Sequence, residues 1–236
     1  MYEEFFGLSA KPFQLTPDPS FLYSSKGHKR AAAYLQYGLH KGEGFIVITG
    51  EVGAGKTTLL RGMLEQIDPA AIVVANIVSS RLNPEQLLRQ IAAEFGIAAD
   101  DGIDKAALLG KLREFLTAVH NDGKRALLVI DEAQNLSIEA IEEVRMLSNF
   151  SVGPIAPFQA FLVGQPQLHA VMRHPELHQF RQRTVASYHL GPLEEHDVKS
   201  YILHRLAHVG ATAENPRFEE AVFADIYSPT WKSRVS

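Results

Sequence analysis

Apolar positions follow two rhythms along the chain. Residues 45–49, 72–78, 126–130, 158–163 and 185–190 are short runs of aliphatic and β-branched residues, with the length and composition of buried strands. Between these runs, apolar residues recur every three or four positions, which predicts amphipathic helices. Such patterns carry Ala31, Ala32, Leu35 and Leu39; Leu59, Leu60, Met63, Leu64 and Ile67; and Leu87, Leu88, Ile91 and Phe95. Others carry Leu108, Leu112, Phe115, Leu116 and Val119; Ile138, Ile141, Val144 and Leu147; and Val198, Ile202, Leu206 and Val209. Boundary residues agree with this reading. Pro84 suits a first helical turn, Gly96 a helix end and Ser137 an N-cap, and Asn121-Asp122-Gly123 closes another helix. Strands alternating with helices predict a parallel sheet covered on both faces, an α/β fold.

Residues 1–27 break both rhythms. Pro12, Pro17, Asp18, Pro19 and Gly27 exclude a long helix there. Phe5, Phe6, Phe13, Phe21, Leu22 and Tyr23 are expected to pack this arm onto a larger body. The 236 residues are enough for one large domain with smaller attachments, and a 46% hydrophobic content allows a sizeable core. A net charge of −4 gives no sign of a general polyanion binder. The absence of cysteine removes disulfides, Cys-ligated zinc and thiol catalysis, and fits a cytoplasmic location. Met1-Tyr2-Glu3-Glu4 is acidic where a signal peptide needs a basic start. No run approaches the roughly 20 apolar residues of a membrane span, so access to a membrane is expected only through a partner.

The decisive chemistry lies between the first predicted strand and the helix after it. Gly50-Glu51-Val52-Gly53-Ala54-Gly55-Lys56-Thr57-Thr58 satisfies the phosphate-loop pattern G-x-x-x-x-G-K-[ST] at every fixed position. Glycines let the backbone curl so that its N–H groups face phosphate oxygens, and the following helix starts with its positive end at the anion. Lys56 suits the β- and γ-phosphates of ATP, and Thr57 suits Mg2+. A second site supports the first. The run 126–130 ends in Asp131-Glu132, and strand C-termini converge on the ligand crevice of open α/β sheets. Asp131 would hold Mg2+ directly or through water. Glu132 would take a proton from the attacking water or orient it. The alternative is a helix-capping acidic pair.

Several further motifs accompany these two. Tyr2-x-x-Phe5-Phe6-Gly7-Leu8, Lys11-Pro12-Phe13, Thr16-Pro17-Asp18-Pro19 and His28 open the chain. Asp131-Glu132-Ala133-Gln134-Asn135-Leu136, Arg145-Met146-Leu147-Ser148-Asn149-Phe150, Gly164-Gln165-Pro166-Gln167-Leu168 and Arg181-Gln182-Arg183 follow. Together they resemble the AAA+ ATPases of the general secretion pathway protein A type, and within that group those associated with exosortase and exopolysaccharide gene clusters. The resemblance covers roughly residues 1–227. It implies a P-loop NTPase of AAA+ type, with an N-terminal arm and helix (1–41), a nucleotide-binding core (42–192) and a partial helical lid (193–236). It implies that Gln165 is the sensor that contacts the γ-phosphate or the lytic water, the alternative being a polar residue at a helix start. Arg181 or Arg183 would be an arginine finger acting in a homo-oligomer, with Arg183 slightly favoured over a surface ion-pair role. His28 would line the adenine pocket. Partners would be secretion or polysaccharide-export components at the inner membrane.

The chain departs from the resemblance after Tyr227. It reads Ser228-Pro229-Thr230-Trp231-Lys232-Ser233-Arg234-Val235-Ser236, and Arg234 does not align with a sensor-2 arginine. The expectation is an incomplete lid with weakened turnover and assembly. Histidine pairs at His174/His178 and His204/His208 have helical spacing but no third ligand, so a solvated face is the expected reading for each. Three functions compete at this point: an ATP-hydrolysing motor or switch, a nucleotide-gated interaction module with little hydrolysis, and a DNA-transposition ATPase. Asp131-Glu132 favours the first and the chain terminus the second. The acidic net charge makes nucleic acid an unexpected partner.

Overall fold

A computed structural model describes residues 2–14, 16, 18–78, 81–100, 102–212 and 215–227. Five strands form one parallel sheet: β1 (Gly44–Gly50), β2 (Ile72–Val78), β3 (Arg125–Asp131), β4 (Phe158–Gly164) and β5 (Thr184–Leu190). Their order across the sheet is β2-β3-β4-β1-β5. The phosphate-loop strand β1 and the acidic strand β3 are therefore not neighbours, because β4 lies between them. Thr49 of β1 is level with Gly164 of β4, and Ile130 of β3 with Leu162.

Side-chain alternation divides the core into two layers. Phe45, Val47, Leu128, Ile130, Ala160 and Leu162 face α4 (Pro84–Glu94), α5 (Lys105–Asn121) and α6 (Ile138–Ser148). Ile46, Ile48, Leu127, Val129, Phe161 and Val163 face α2 (Lys26–Lys41) and α3 (Lys56–Leu64). The central strands are buried on both sides, which explains their nearly continuous apolar runs. Gln159 is the polar exception in β4. It lies buried on the α2 side, and its amide donates to the carbonyls of Gly38 (2.7 Å) and Glu43 (3.3 Å).

Caps explain where the helices begin. Asn83 and Gln86 form a reciprocal capping box at α4, and Asp104 and Ser137 cap α5 and α6. The β-rich alternation places all five strands within a residue or two of expectation. Three helices lie outside it: α7 (Gln167–Met172), α8 (His178–Gln182) and α10 (Glu220–Tyr227). The first two span only six and five residues, too short for a 3.6-residue period to show.

The arm corrects one expectation and refines another. The short helix α1 (Tyr2–Phe6) and a 3-10 turn at Pro19–Phe21 are its regular pieces. Phe21 is buried, but Phe5 is 80% and Phe13 49% exposed, so neither anchors the arm as expected. The buried Leu8 takes part in the packing instead. The arm docks on α9 (Glu195–His208) and the residue after it. Ser9 N–H donates to Val209 O (2.9 Å), Arg205 Nε to Pro12 O (2.6 Å) and Tyr23 Oη to Asp197 Oδ1 (2.9 Å). Pro17 and residues 228–236 lie outside the described residues, so the expectation of an incomplete lid lies outside them too.

The turn joining α8 to β5 is held by Phe180, which is fully buried and stacks on Phe45 at 4.2 Å between ring centroids. Phe180→Ala should cost about 3–5 kcal/mol of unfolding free energy, measured by urea titration. A loss below about 1 kcal/mol would show that the turn is not anchored there.

Candidate phosphate and metal site

The loop leaves β1 at Gly50 and enters α3 at Lys56. Gly50 is required by space, because a Cβ there would lie 2.5 Å from the carbonyl oxygen of Leu190 on β5. Gly55 is required by conformation and by space. Its φ of +85° lies in the left-handed region, and a Cβ would lie 2.7 Å from Nε2 of His28. Lys56 is buried, and its ammonium donates to the carbonyls of Gly50 (2.8 Å) and Glu51 (2.9 Å). Burial holds its pKa below the usual lysine value, against the opposing pull of Glu132, Asp131 and Glu51. Glu51 and Val52 project into solvent at the loop's outer edge, and Gly53, Ala54 and Thr58 complete the turn around Lys56.

The second half of the site comes from β3. Strand parity puts Leu127, Val129 and Asp131 on the face that α3 covers. Asp131 is 4% exposed, and its Oδ2 accepts a 2.7 Å hydrogen bond from Thr57 Oγ1. Its Oδ1 accepts from the backbone N–H of Glu132 at 2.9 Å. A hydroxyl and a carboxylate from two separate elements thus meet at one point. These are hard oxygen donors of the kind magnesium takes, and their number leaves positions for water and phosphate oxygens, so the residues fit the ion.

Glu132 leaves the sheet in a left-handed conformation, φ 55° and ψ 35°. Its Oε2 accepts from Gln134 Nε2 (2.6 Å) and Gln165 Nε2 (3.3 Å). Because β4 lies between β1 and β3, Gln165 stands just past the strand that separates the phosphate loop from Glu132. Gln165, Glu132 and Lys56 therefore converge, as the motifs suggest. Gln134 is part of this cluster and was not singled out in the sequence. Its motif neighbours were visible there, but its partners depend on the strand order.

His28 meets the loop from α2. Nε2 lies 3.0 Å from Ala54 O and Nδ1 2.8 Å from Ser25 Oγ. A carbonyl only accepts, so Nε2 carries the proton and Ser25 donates to Nδ1. Burial lowers the His28 pKa from its ordinary 6.5. Another polar cluster escaped the sequence reading: Thr49 Oγ1 lies 2.8 Å from His169 Nε2 and 3.1 Å from His189 Nδ1. A cleft of about 690 Å3 between the arm, α2 and α3 is lined by Gln36, Leu59, Met63 and Gln66 and includes none of the phosphate-site residues.

The two candidate finger arginines lie at the opposite end of the sheet. Arg183 O accepts from Phe45 N–H at the start of β1, seven residues and about 20 Å from the phosphate loop. Arg183 donates to Ser148 O (2.9 Å) and Oγ (3.0 Å), and Arg181 to Met172 O (2.6 Å) and His174 O (2.8 Å). Neither reaches its own chain's Lys56.

Residues 39–172 match the AAA domain family model. The chain belongs to the AAA domain family. It is 41% identical over 210 residues to general secretion pathway protein A of Aeromonas hydrophila, covering 89% of this chain and 38% of that protein. The chain thus spans well under half the length of that relative. It is 30% identical over 91 residues to a putative ORC1-type DNA replication protein 1 of Thermoplasma acidophilum, covering 39% of this chain and 25% of that one. Among solved structures, the ADP form of Aeropyrum pernix ORC2 matches with a TM-score of 0.67 at 17% identity, over 93% of this chain and 61% of that one. Domain III of the Thermotoga maritima replication initiation protein DnaA matches at 0.51 and 20%, over 91% and 82%. These comparisons bear out the secretion-protein resemblance and the AAA+ fold. They do not support the expectation against nucleic acid, since the Aeropyrum pernix ORC1 structure, similar at a TM-score of 0.57 and 15% identity over 85% of this chain and 52% of that one, is a complex with DNA. No helix among the described residues is long and apolar enough to cross a membrane.

Because His28 has a lowered pKa in the fold, the unfolded chain binds the extra proton first as pH falls. Stability should therefore drop as pH falls through about 6.5 toward the lower folded value. The melting temperature of wild type should fall more between about pH 7.5 and 5.5 than that of His28→Gln. Parallel curves would contradict this assignment.

Proposed function

We propose that the chain binds Mg·ATP at Gly50–Thr58 and hydrolyses it. The hydrogen bond from Thr57 to Asp131, formed beside Lys56 and Glu132, carries this reading. The loop N–H groups and Lys56 would hold the β- and γ-phosphates, with phosphate oxygens taking over the donors now given to Gly50 O and Glu51 O. Bound magnesium, held by Thr57 and Asp131, would neutralise charge on those phosphates. Glu132 would take the proton of the water that attacks the γ-phosphorus as the bond to the β-phosphate oxygen breaks, releasing ADP and phosphate. Gln165 would orient that water or the γ-phosphate. His28 would brace the loop next to the adenine side of the nucleotide.

Hydrolysis would be completed between copies. Arg183, or Arg181, lies too far from its own loop and would serve as the finger for a neighbour's site, which requires a homo-oligomer. The kinship with general secretion pathway protein A supports coupling to secretion at the inner-membrane surface from a cytoplasmic position. Association with an exosortase cluster and polysaccharide export extends that reading on the motif resemblance. A role on DNA is a second reading, favoured by the 30% identity to the ORC1-type replication protein. ATP-strengthened, salt-sensitive DNA binding would support it.

A phosphate-release assay tests the chemistry. Wild type should turn over ATP only with Mg2+. Lys56→Ala should lose ATP binding, and Glu132→Gln should keep binding but lose about 10²–10⁴-fold in rate. ATP binding by wild type without turnover would establish the nucleotide-gated module instead.

Complementation tests the finger. Arg183→Ala and Glu132→Gln should each be inactive alone. Mixed, they should regain activity, because the intact Glu132 of one copy meets the intact Arg183 of the other. No recovery from Arg183 or Arg181 mixtures would exclude a finger in trans.

A further inference from the structure

The Gln134 carboxamide is the densest unexplained contact at the site. Its Oε1 accepts the backbone N–H of Gln165 at 2.9 Å, and its Nε2 donates to Glu132 Oε2 at 2.6 Å. The two ends of the amide are not interchangeable. A backbone N–H only donates and an ionised carboxylate only accepts, so the partners dictate which end faces which. The same side chain thus ties the carboxylate after β3 to the backbone after β4.

Space for this bridge is built into β4. A Cβ on Gly164 would lie 2.6 Å from Gln134 Oε1, 3.2 Å from Gln134 N and 3.3 Å from Ala133 N. Two of those atoms are backbone and cannot swing aside. Gly164 does not have a positive φ, so its lack of a side chain serves space and not conformation. The left-handed backbone of Glu132 makes the second contribution. That region is uncommon for a residue with a Cβ and costs of order 1–3 kcal/mol. It turns the chain sharply off β3, so that side chains two positions apart, Glu132 and Gln134, meet each other.

We propose that Gln134 is the positioning residue for Glu132, and that Gly164 is the notch that admits it. The proposal rests on the reading of Glu132 as the group that handles the attacking water. Gln165 alone gives the carboxylate one long hydrogen bond of 3.3 Å. Gln134 adds the short one, and it also fixes the Gln165 backbone. A single amide therefore sets the distance between the carboxylate and the residue proposed to sense the γ-phosphate. Being neutral, it holds Glu132 in place without an ion pair that would weaken it as a base.

Single-turnover hydrolysis with protein in excess over ATP tests this, with ATP affinity and melting temperature measured on the same samples. Gln134→Met keeps the length and removes both hydrogen bonds. It should bind ATP within about twofold of wild type and hydrolyse it about 10²-fold more slowly. Gly164→Ala should show the same split, although it removes no hydrogen-bonding group. Gln134→Glu keeps the shape and the acceptor for Gln165 N–H but sets a second carboxylate against Glu132. Like charges raise the pKa of the pair, so the acid limb of its pH–rate profile should move to higher pH. A merely structural residue would not move that limb. An unchanged rate in Gln134→Met, an unmoved limb in Gln134→Glu, or equal losses of affinity and rate would overturn the proposal while leaving Glu132 in its role. A wild type that does not turn over ATP would overturn the reading of Glu132, and this proposal with it.

Discussion

The hydrogen bond from Thr57 to Asp131 joins residues 74 positions apart and holds the candidate site together. It exists because three independent features coincide. The phosphate loop feeds α3 back across one face of the sheet. Strand parity points Asp131 to that same face. The parallel order places β3 two positions from β1, close enough for the hydroxyl and carboxylate to meet, with β4 between them. Moving Asp131 by one residue along β3 would turn its carboxylate to the other layer, among Leu128 and Ile130.

The insertion of β4 has a second consequence. Its C-terminal end is the only backbone between the phosphate loop and Glu132 in the sheet order, so whatever follows Gly164 must face both. Gln165 occupies that position, and Gln134 reaches it through the space at Gly164. The polar groups there are paired with one another, as burial at a sheet edge demands. Arg181 and Arg183 sit at the far end of the same strands. The sheet thus separates the groups that would hold the nucleotide from those that would reach out to a neighbour.

Much of this was legible in the sequence where the chemistry is local. The fixed spacing of Gly50, Gly55, Lys56 and Thr57 reflects a loop whose constraints all lie within nine residues. The apolar run ending in Asp131-Glu132 announced its own strand end. What could not be read depends on which strands are neighbours. Nothing in the chain near Gln134 indicates that its amide will bridge to Gln165, because that contact requires β4 beside β3. The helices α7 and α8 are too short to express a period, and the exposure of Phe5 and Phe13 runs against the usual burial of aromatic residues. The docking of the arm on α9 joins positions about two hundred residues apart through Ser9, Pro12 and Val209, a partnership that local pattern does not encode. By linking the arm to α9, these contacts also tie the two ends of the chain beside the nucleotide-binding layer.

The central claim is that Thr57 and Asp131 form one divalent-cation site with the nucleotide. A double-mutant cycle on the Mg2+ dependence of ATP affinity, measured by calorimetry on wild type, Thr57→Val, Asp131→Asn and the double variant, tests it most directly. The account predicts that either single substitution removes most of the Mg2+ dependence and that the second adds little. Fully additive effects, or an Mg2+ dependence equal to wild type in either single variant, would contradict it.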